Sequence, residues 1–254
     1  METILENTLR IGNFTSSEIV ALIKTATDKK SFGKPALTYI DECNMERRLG
    51  LPLETEQNAR PLTWGKLLEK RVFELLGLEY VLTSTETDQH PVIDCWAGSK
   101  DGEKFDDGKT VIDIKCPITR KSFCELVCSI YDMPFSNGLD HINYIRDNHK
   151  DGEKYYWQLV SNAIINNAKY AELIVYMPYK TELADIRELA NNYDGPNQNR
   201  FAWINYAEDI ELPYLNDDGY YKNLNIIRFE VPYEDKEFLT KRVLEAQKLL
   251  TPLP

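Results

Sequence analysis

The chain has 254 residues, 43% of them apolar and including 15 Tyr and 9 Phe, so it can bury the core of one large domain or two small ones. Its formal net charge of -11, at an ordinary 28% charged residues, predicts a soluble protein and argues against broad nonspecific binding to nucleic acid. A local basic groove, or acids whose charge is offset by bound cations, stays open. Five cysteines, at positions 43, 95, 116, 124 and 128, are odd in number and fit neither a zinc nor a disulfide framework. They read as free thiols of a reducing cytoplasm, with an iron–sulfur site as the alternative. No basic segment precedes an apolar one near the start, and no apolar run reaches transmembrane length, so an intracellular, cytoplasmic protein is expected.

In chain order, "FTSSEIVALIKTA" predicts a helix capped by Thr15, Ser16 or Ser17, with Ile19, Val20, Leu22 and Ile23 as its apolar face. "PALTYIDECNMERRLG" predicts a helix opened by Pro35 and stopped by Gly50, and "PLTWGKLLEKRVFELLG" another, opened by Pro61 and closed by Gly77. The runs "LEYVLTST", "PVIDCWA" and "TVIDIKC" then read as short strands, with "DDGKT" as a hairpin signal between the last two. "TRKSFCELVCSIY" predicts a helix, followed by a loop-rich stretch to about residue 152. "EKYYWQLVSNAIINN" is a helix and "YAELIVYMP" a buried strand ended by Pro178. "TELADIRELANN" is a short helix, and "NNYDGPNQNR" a polar, turn-rich loop. "LNIIRFEVP" is a late strand and "EDKEFLTKRVLEAQKLL" a helix. The expected architecture is a single α/β domain over residues 1–254, a central mixed sheet with helices on its faces. Helices occupy 14–77, the sheet core 78–178, and a helix–strand–helix segment 179–254.

Chemistry concentrates around "WAGSKDGEKFDDGKTVIDIKCP". Asp113 and Lys115 are two apart on a strand and share a face with Val111, while Ile112 and Ile114 point the other way. A buried carboxylate and ammonium are costly unless paired or bound to metal. Asp101, across a hairpin-sized loop, can meet them at the sheet end. Converging carboxylates repel, and a divalent cation turns that repulsion into binding; oxygen ligands suit Mg²⁺ or Mn²⁺. The same tripeptide also suits a plain surface ion pair. Glu69 lies in a helical stripe with Gly65, Phe73 and Leu76, so it borders an apolar face: a third acid for the site, or a boundary residue paired with a lysine. Gln158 and Asn162, one turn apart on an apolar helix, mark a polar stripe that is either functional or a core-edge hydrogen-bonding strip.

Taken in order, these segments resemble the phage lambda exonuclease family, the YqaJ-like viral recombinases of the PD-(D/E)xK nuclease superfamily. The resemblance rests on four blocks between residues 10 and 178: "RIGNFTSSEI", "WGKLLEKRVFELLG", "WAGSKDG" with "VIDIKCP", and "YYWQLVSNAIINNAKYAELIVYMP". It implies a restriction-endonuclease-like core in which Asp101, Asp113 and the Ile114 backbone carbonyl bind one or two Mg²⁺ or Mn²⁺ ions. Lys115 would orient the attacking water, and Glu69 would support the metal directly or through water. Gln158 would hold the nucleophile or substrate. Arg10 and Ser17 match residues that contact a DNA 5′-phosphate. Lys100 stands where the family has proline, and would loosen the turn or contact phosphate. Asp113 stands where many relatives have Glu. Asp94 is a rival to Asp101 as the first acid, although the family's frame favours Asp101.

The implied activity is a divalent-metal-dependent DNA exonuclease hydrolysing linear duplex DNA, 5′ to 3′, in phage-type recombination. A ring trimer closing around DNA ends and a single-strand annealing protein partner are implied with it. Lys66, Lys70, Arg71, Arg120 and Lys121 flank the motifs and could track the backbone. An endonuclease, a RecB-like module with a cluster, and a noncatalytic DNA-end-binding protein are the alternatives.

Overall fold

The computed structural model describes residues 9–53, 59–83, 87–105, 109–193 and 198–252. Its centre is strand β6 (Thr110–Lys115), whose β-branched Thr110, Val111, Ile112 and Ile114 suit a strand buried on both faces. β6 runs parallel to β7 (Tyr170–Tyr176), with Asp113 opposite Leu173 and Lys115 opposite Val175. On its other side it pairs antiparallel with β5 (Gly102–Lys104), which pairs antiparallel with β2 (Tyr80–Leu82). β8 (Leu224–Glu230) lies antiparallel along the whole of β7, giving a five-stranded mixed sheet in the order β2-β5-β6-β7-β8. A small second sheet joins β1 (Phe14–Thr15), β4 (Trp96–Gly98) and β3 (Asp88–Gln89), with β1 parallel and β3 antiparallel to the central β4.

Each face of the large sheet has its own apolar layer. Val111, Leu173, Val175, Ile227 and Phe229 face α3 (Arg120–Asp132), α4 (Gly138–Asn148), α5 (Gly152–Ile165) and α8 (Tyr233–Gln247). Ile112, Ile114, Ile174 and Tyr176 face α2 (Arg60–Leu75), α6 (Leu183–Asn191) and α7 (Ala202–Tyr206). The alternation expected along β6 is therefore present, and the α/β class holds. No described helix is long and apolar enough to cross a membrane.

α1 (Lys34–Leu49) ends on Gly50 at φ +66°, the left-handed conformation of a helix stop. Its buried Arg47 donates to the carbonyls of Gly12 and Thr251 and to Asn13 Oδ1, tying distant segments to one helix. Arg242 of α8 does the same for the carbonyls of Leu22, Lys24 and Lys30.

Five expectations need correction. "FTSSEIVALIKTA" is not an α-helix: Phe14 and Thr15 pair with β4, Ser16 N–H donates to the Ala97 carbonyl, and only a five-residue 3-10 helix, Ile19–Ile23, follows. Strand pairing overrides the local helical pattern there, and no serine caps that turn. In "PVIDCWA" only the end is strand, because Trp96 N–H closes a turn on the Ile93 carbonyl. The strand paired with β6 ahead of it is β5 instead, a segment read as polar loop; Asp106, Asp107 and Gly108 lie outside the described residues. The stretch before residue 152 contains α4, opened by a reciprocal cap between Asn137 and Asp140. Helix α2 ends at Leu75, two residues before Gly77. Of "NNYDGPNQNR", residues 194–197 lie outside the described set.

Candidate active site

Asp113 is completely buried in the middle of β6, and its two carboxylate oxygens have different partners. Oδ1 accepts from Gln158 Nε2 of α5 at 2.8 Å, and Oδ2 lies 2.6 Å from Lys115 Nζ. The Lys115 ammonium also sits 4.9 Å from the centre of the Tyr155 ring, a cation–π distance. The two-residue step along the strand therefore puts both charges on the α5 face, as the sequence predicts. Burial by itself would push the Lys115 ammonium down; Asp113 and Asp101 outweigh it and hold the group charged.

Asp101 approaches from the strand edge. It immediately precedes β5, its N–H donates to the Ile112 carbonyl, and its Oδ2 accepts the Ile114 N–H at 2.6 Å. In a strand, the N–H and C=O of one residue point to the same side, so the Ile114 carbonyl is directed past the start of β5 toward Asp101. Glu69 comes from α2, on the other face. Burial raises its pKa from the usual 4.5 to about 7, with Lys66 and Lys115 opposing that rise and Asp113 adding to it. Asp101 is raised well above the ordinary carboxylate range by burial first, then by Asp113 and Glu69. Asp101 feels Asp113 and Glu69, and Glu69 feels Asp113, so the three are electrostatic neighbours although they come from different segments.

This donor set fits a hard divalent cation. The Asp101 and Asp113 carboxylates and the Ile114 carbonyl are oxygen ligands of the Mg²⁺ or Mn²⁺ type. Among the described residues, no three His, Cys, Asp or Glu side chains converge closely enough to ligate one ion by themselves. Such an ion would take Asp101, Asp113 and the Ile114 carbonyl, with Glu69 supporting it directly or through water. The thiols offer little competition. Burial pushes Cys43 up to about 12 and Cys95 to about 11; Cys116 is raised by burial, then by Glu69 and Asp101.

Asp94, the rival first acid, is exposed and accepts from Gln247 Nε2 at 3.2 Å, on a different part of the surface. Lys100 does not reach outward for phosphate. It is 2% exposed, pairs with Asp88 and with Glu103 at 3.0 Å, and donates to Asn166 Oδ1 at 2.9 Å, so it braces the turn that presents Asp101. Asn162 joins the same support, donating to the Ser99 carbonyl at 3.3 Å. Arg10 and Ser17 are brought together: the guanidinium lies 3.4 Å from Ser17 Oγ, which is also 3.3 Å from Thr15 Oγ1. Ser16 turns inward to Ser161 Oγ at 2.8 Å. Of the flanking basic residues, Lys66, Lys70 and Lys121 are exposed. Arg71 faces Glu74 and Glu182, and Arg120 donates to the Tyr214 carbonyl. Tyr155 was not anticipated; its signal was an aromatic residue one turn before Gln158 on the same helix face.

The assembled elements define an α/β fold with a mixed central sheet whose middle strand carries Asp113 and Lys115, with Asp101 and Glu69 nearby. The same fold occurs in the alkaline exonuclease LHK-Exo from Laribacter hongkongensis, with a TM-score of 0.55 and 15% identity over 94% of this chain and 89% of that one. LHK-Exo in complex with dAMP gives 0.56 and 14% over 97% and 92%. A phage-related exonuclease from Haemophilus somnus 129PT gives 0.57 and 16% over 93% and 92%. No protein-family model matches the sequence, and no curated protein is detectably similar to it.

Proposed function

We propose that this chain is a divalent-metal-dependent deoxyribonuclease that degrades one strand of linear duplex DNA from its 5′ end. One observation carries the reading: Asp113 lies 2.6 Å from Lys115 Nζ inside the sheet, and Asp101 and Glu69, both raised by burial and by neighbouring carboxylates, stand close enough to feel it, an arrangement that a bound cation would relieve. That its fold neighbours are exonucleases supports the same direction.

Bound at Asp101, Asp113 and the Ile114 carbonyl, Mg²⁺ or Mn²⁺ would supply Lewis-acid neutralisation of charge at the scissile phosphate. The protein groups do the rest. Lys115, held charged, donates to the attacking water and to the developing phosphorane oxygen. Gln158 fixes the Asp113 carboxylate by its hydrogen bond to Oδ1, while Oδ2 holds Lys115. Glu69, titrating near neutrality, is suited to accept a proton through water. Arg10 and Ser17 form a donor pair for a terminal 5′-phosphate. A three-copy ring and a single-strand annealing partner in phage-type recombination complete the proposal, and rest on the sequence resemblance.

The test is digestion of linear duplex DNA, 5′-phosphorylated or not, with Mg²⁺, with EDTA, and with Lys115→Ala. Metal-dependent loss of one strand from the 5′ end, abolished by the substitution, is expected. Intact DNA ends with both Mg²⁺ and Mn²⁺ would refute the reading and direct attention to end binding without cleavage. Cutting of closed circles would replace exonuclease with endonuclease.

A further inference from the structure

We infer that Tyr155 is a positioning residue for the Lys115 ammonium, and that it is held in place by a ring stack on His149. The inference rests on the nuclease reading above and adds a residue to it.

The geometry is a match between a helix and a strand. Asp113 and Lys115 are two residues apart on β6, roughly 6.6 Å along the strand. Tyr155 and Gln158 are three apart on α5, roughly 4.5 Å along the axis and on one face. The helix turn thus serves both members of the buried ion pair: Gln158 holds Asp113 Oδ1, and the Tyr155 ring lies beside Lys115 Nζ. A lysine has four flexible methylenes, and Asp113 Oδ2 alone does not fix where its remaining N–H bonds point. The ring beside the ammonium, together with the carboxylate, narrows the positions the ammonium can take.

Tyr155 is itself immobilised. The His149 ring packs against it with centroids 5.6 Å apart and planes 27° from parallel. His149 Nδ1 accepts the Asp151 N–H at 3.1 Å, so Nε2 carries the proton and donates to Ser122 Oγ at 2.9 Å. Ser122 is in the first turn of α3, capped by Thr119 just beyond Lys115 on the chain. A closed path therefore runs from the strand through α3 and His149 back to Tyr155. Burial lowers the His149 pKa, in keeping with a neutral ring.

The prediction separates the ring face from the hydroxyl and from bulk. Single-turnover digestion of 5′-phosphorylated linear duplex DNA with Mg²⁺ is measured for the wild type, Tyr155→Phe and Tyr155→Leu, with the Tm of each. Tyr155→Leu lowers kcat about 3- to 30-fold, the range of a partly desolvated cation–π contact, with KM for DNA within about 2-fold. Tyr155→Phe, which keeps the ring, recovers most of that loss. Tyr155→Met serves if the leucine variant does not fold, and behaves like it. Equal kcat for the phenylalanine and leucine variants, or an effect confined to KM, would overturn the inference. A wild type with no nuclease activity refutes the underlying reading instead, and the two failures are distinct.

Discussion

Glu69→Gln should make the protein more stable in EDTA and, under the proposed function, less active in DNA digestion. Glu69 titrates at about 7 in the folded chain against 4.5 when unperturbed, because burial disfavours its charge. A raised carboxyl pKa means that the folded state binds the proton more tightly than the unfolded state. Stability is therefore highest below pH 4.5, falls as pH rises from 4.5 to about 7, and levels off above. At roughly 1.4 kcal/mol per pH unit, the gap amounts to about 3 kcal/mol at pH 8. Glutamine has no such term, and its loss of charge also relieves Asp101. In EDTA, urea denaturation should show the variant gaining up to about 3 kcal/mol at pH 8 and nothing at pH 4.5. For a domain of this size that is about 6–12 °C in Tm. Added Mg²⁺ should narrow the difference by stabilising the wild type. A variant that is less stable at pH 8, or a difference that does not grow with pH, would show that Glu69 is not a strained buried acid.

Lys115→Ala should lower kcat about 100- to 10,000-fold in Mg²⁺-supported digestion, the usual weight of a group that handles the attacking water; a loss under 10-fold would remove Lys115 from that role. Asp101→Asn keeps an oxygen for the Ile114 N–H but removes a charge, so calorimetric titration should show Mg²⁺ affinity reduced at least about 10-fold with the fold intact. Lys100→Met should cost roughly 2–3 kcal/mol, because Asp88, Glu103 and Asn166 lose a shared buried donor; chemical denaturation reads it, and a neutral result would mean that the turn stands without its brace. At Gly98 an added methyl would lie 2.2 Å from Ser16 Oγ and 2.4 Å from Asn162 Oδ1, so Gly98→Ala should lose about 1–3 kcal/mol, visible as a lower Tm.

Much of the site was legible because its residues break a local rule. An aspartate and a lysine inside "TVIDIK" contradict a doubly buried strand, and Glu69 contradicts the apolar side of its helix. Those contradictions located β6, α2 and α5 correctly. What escaped was whatever depends on partners far away in the chain. β5 reads as polar loop because its pairing is supplied from both sides by β2 and β6. Thr15 and Ser16 look like helix caps until β4 claims their backbone. Lys100 looks like a phosphate contact, since nothing nearby in the sequence announces Asp88 and Asn166 around it. Helix α4 is the exception: Asn137, Asp140, Ile142 and Ile145 spell a capped amphipathic helix in a stretch read as loop-rich.

The clamp made by Arg47 and Arg242 bears on the order in which the molecule is completed on the ribosome. Arg242 holds the carbonyls of Leu22, Lys24 and Lys30, and Arg47 waits for the Thr251 carbonyl. Translation thus delivers the acids, the lysine and α5 well before the layer bearing Arg10 and Ser17 can be locked down. Nascent chains arrested before residue 242 should expose that layer to protease while the central sheet is already resistant, so the acids and Lys115 would be assembled before the segment bearing Arg10 and Ser17 is fixed.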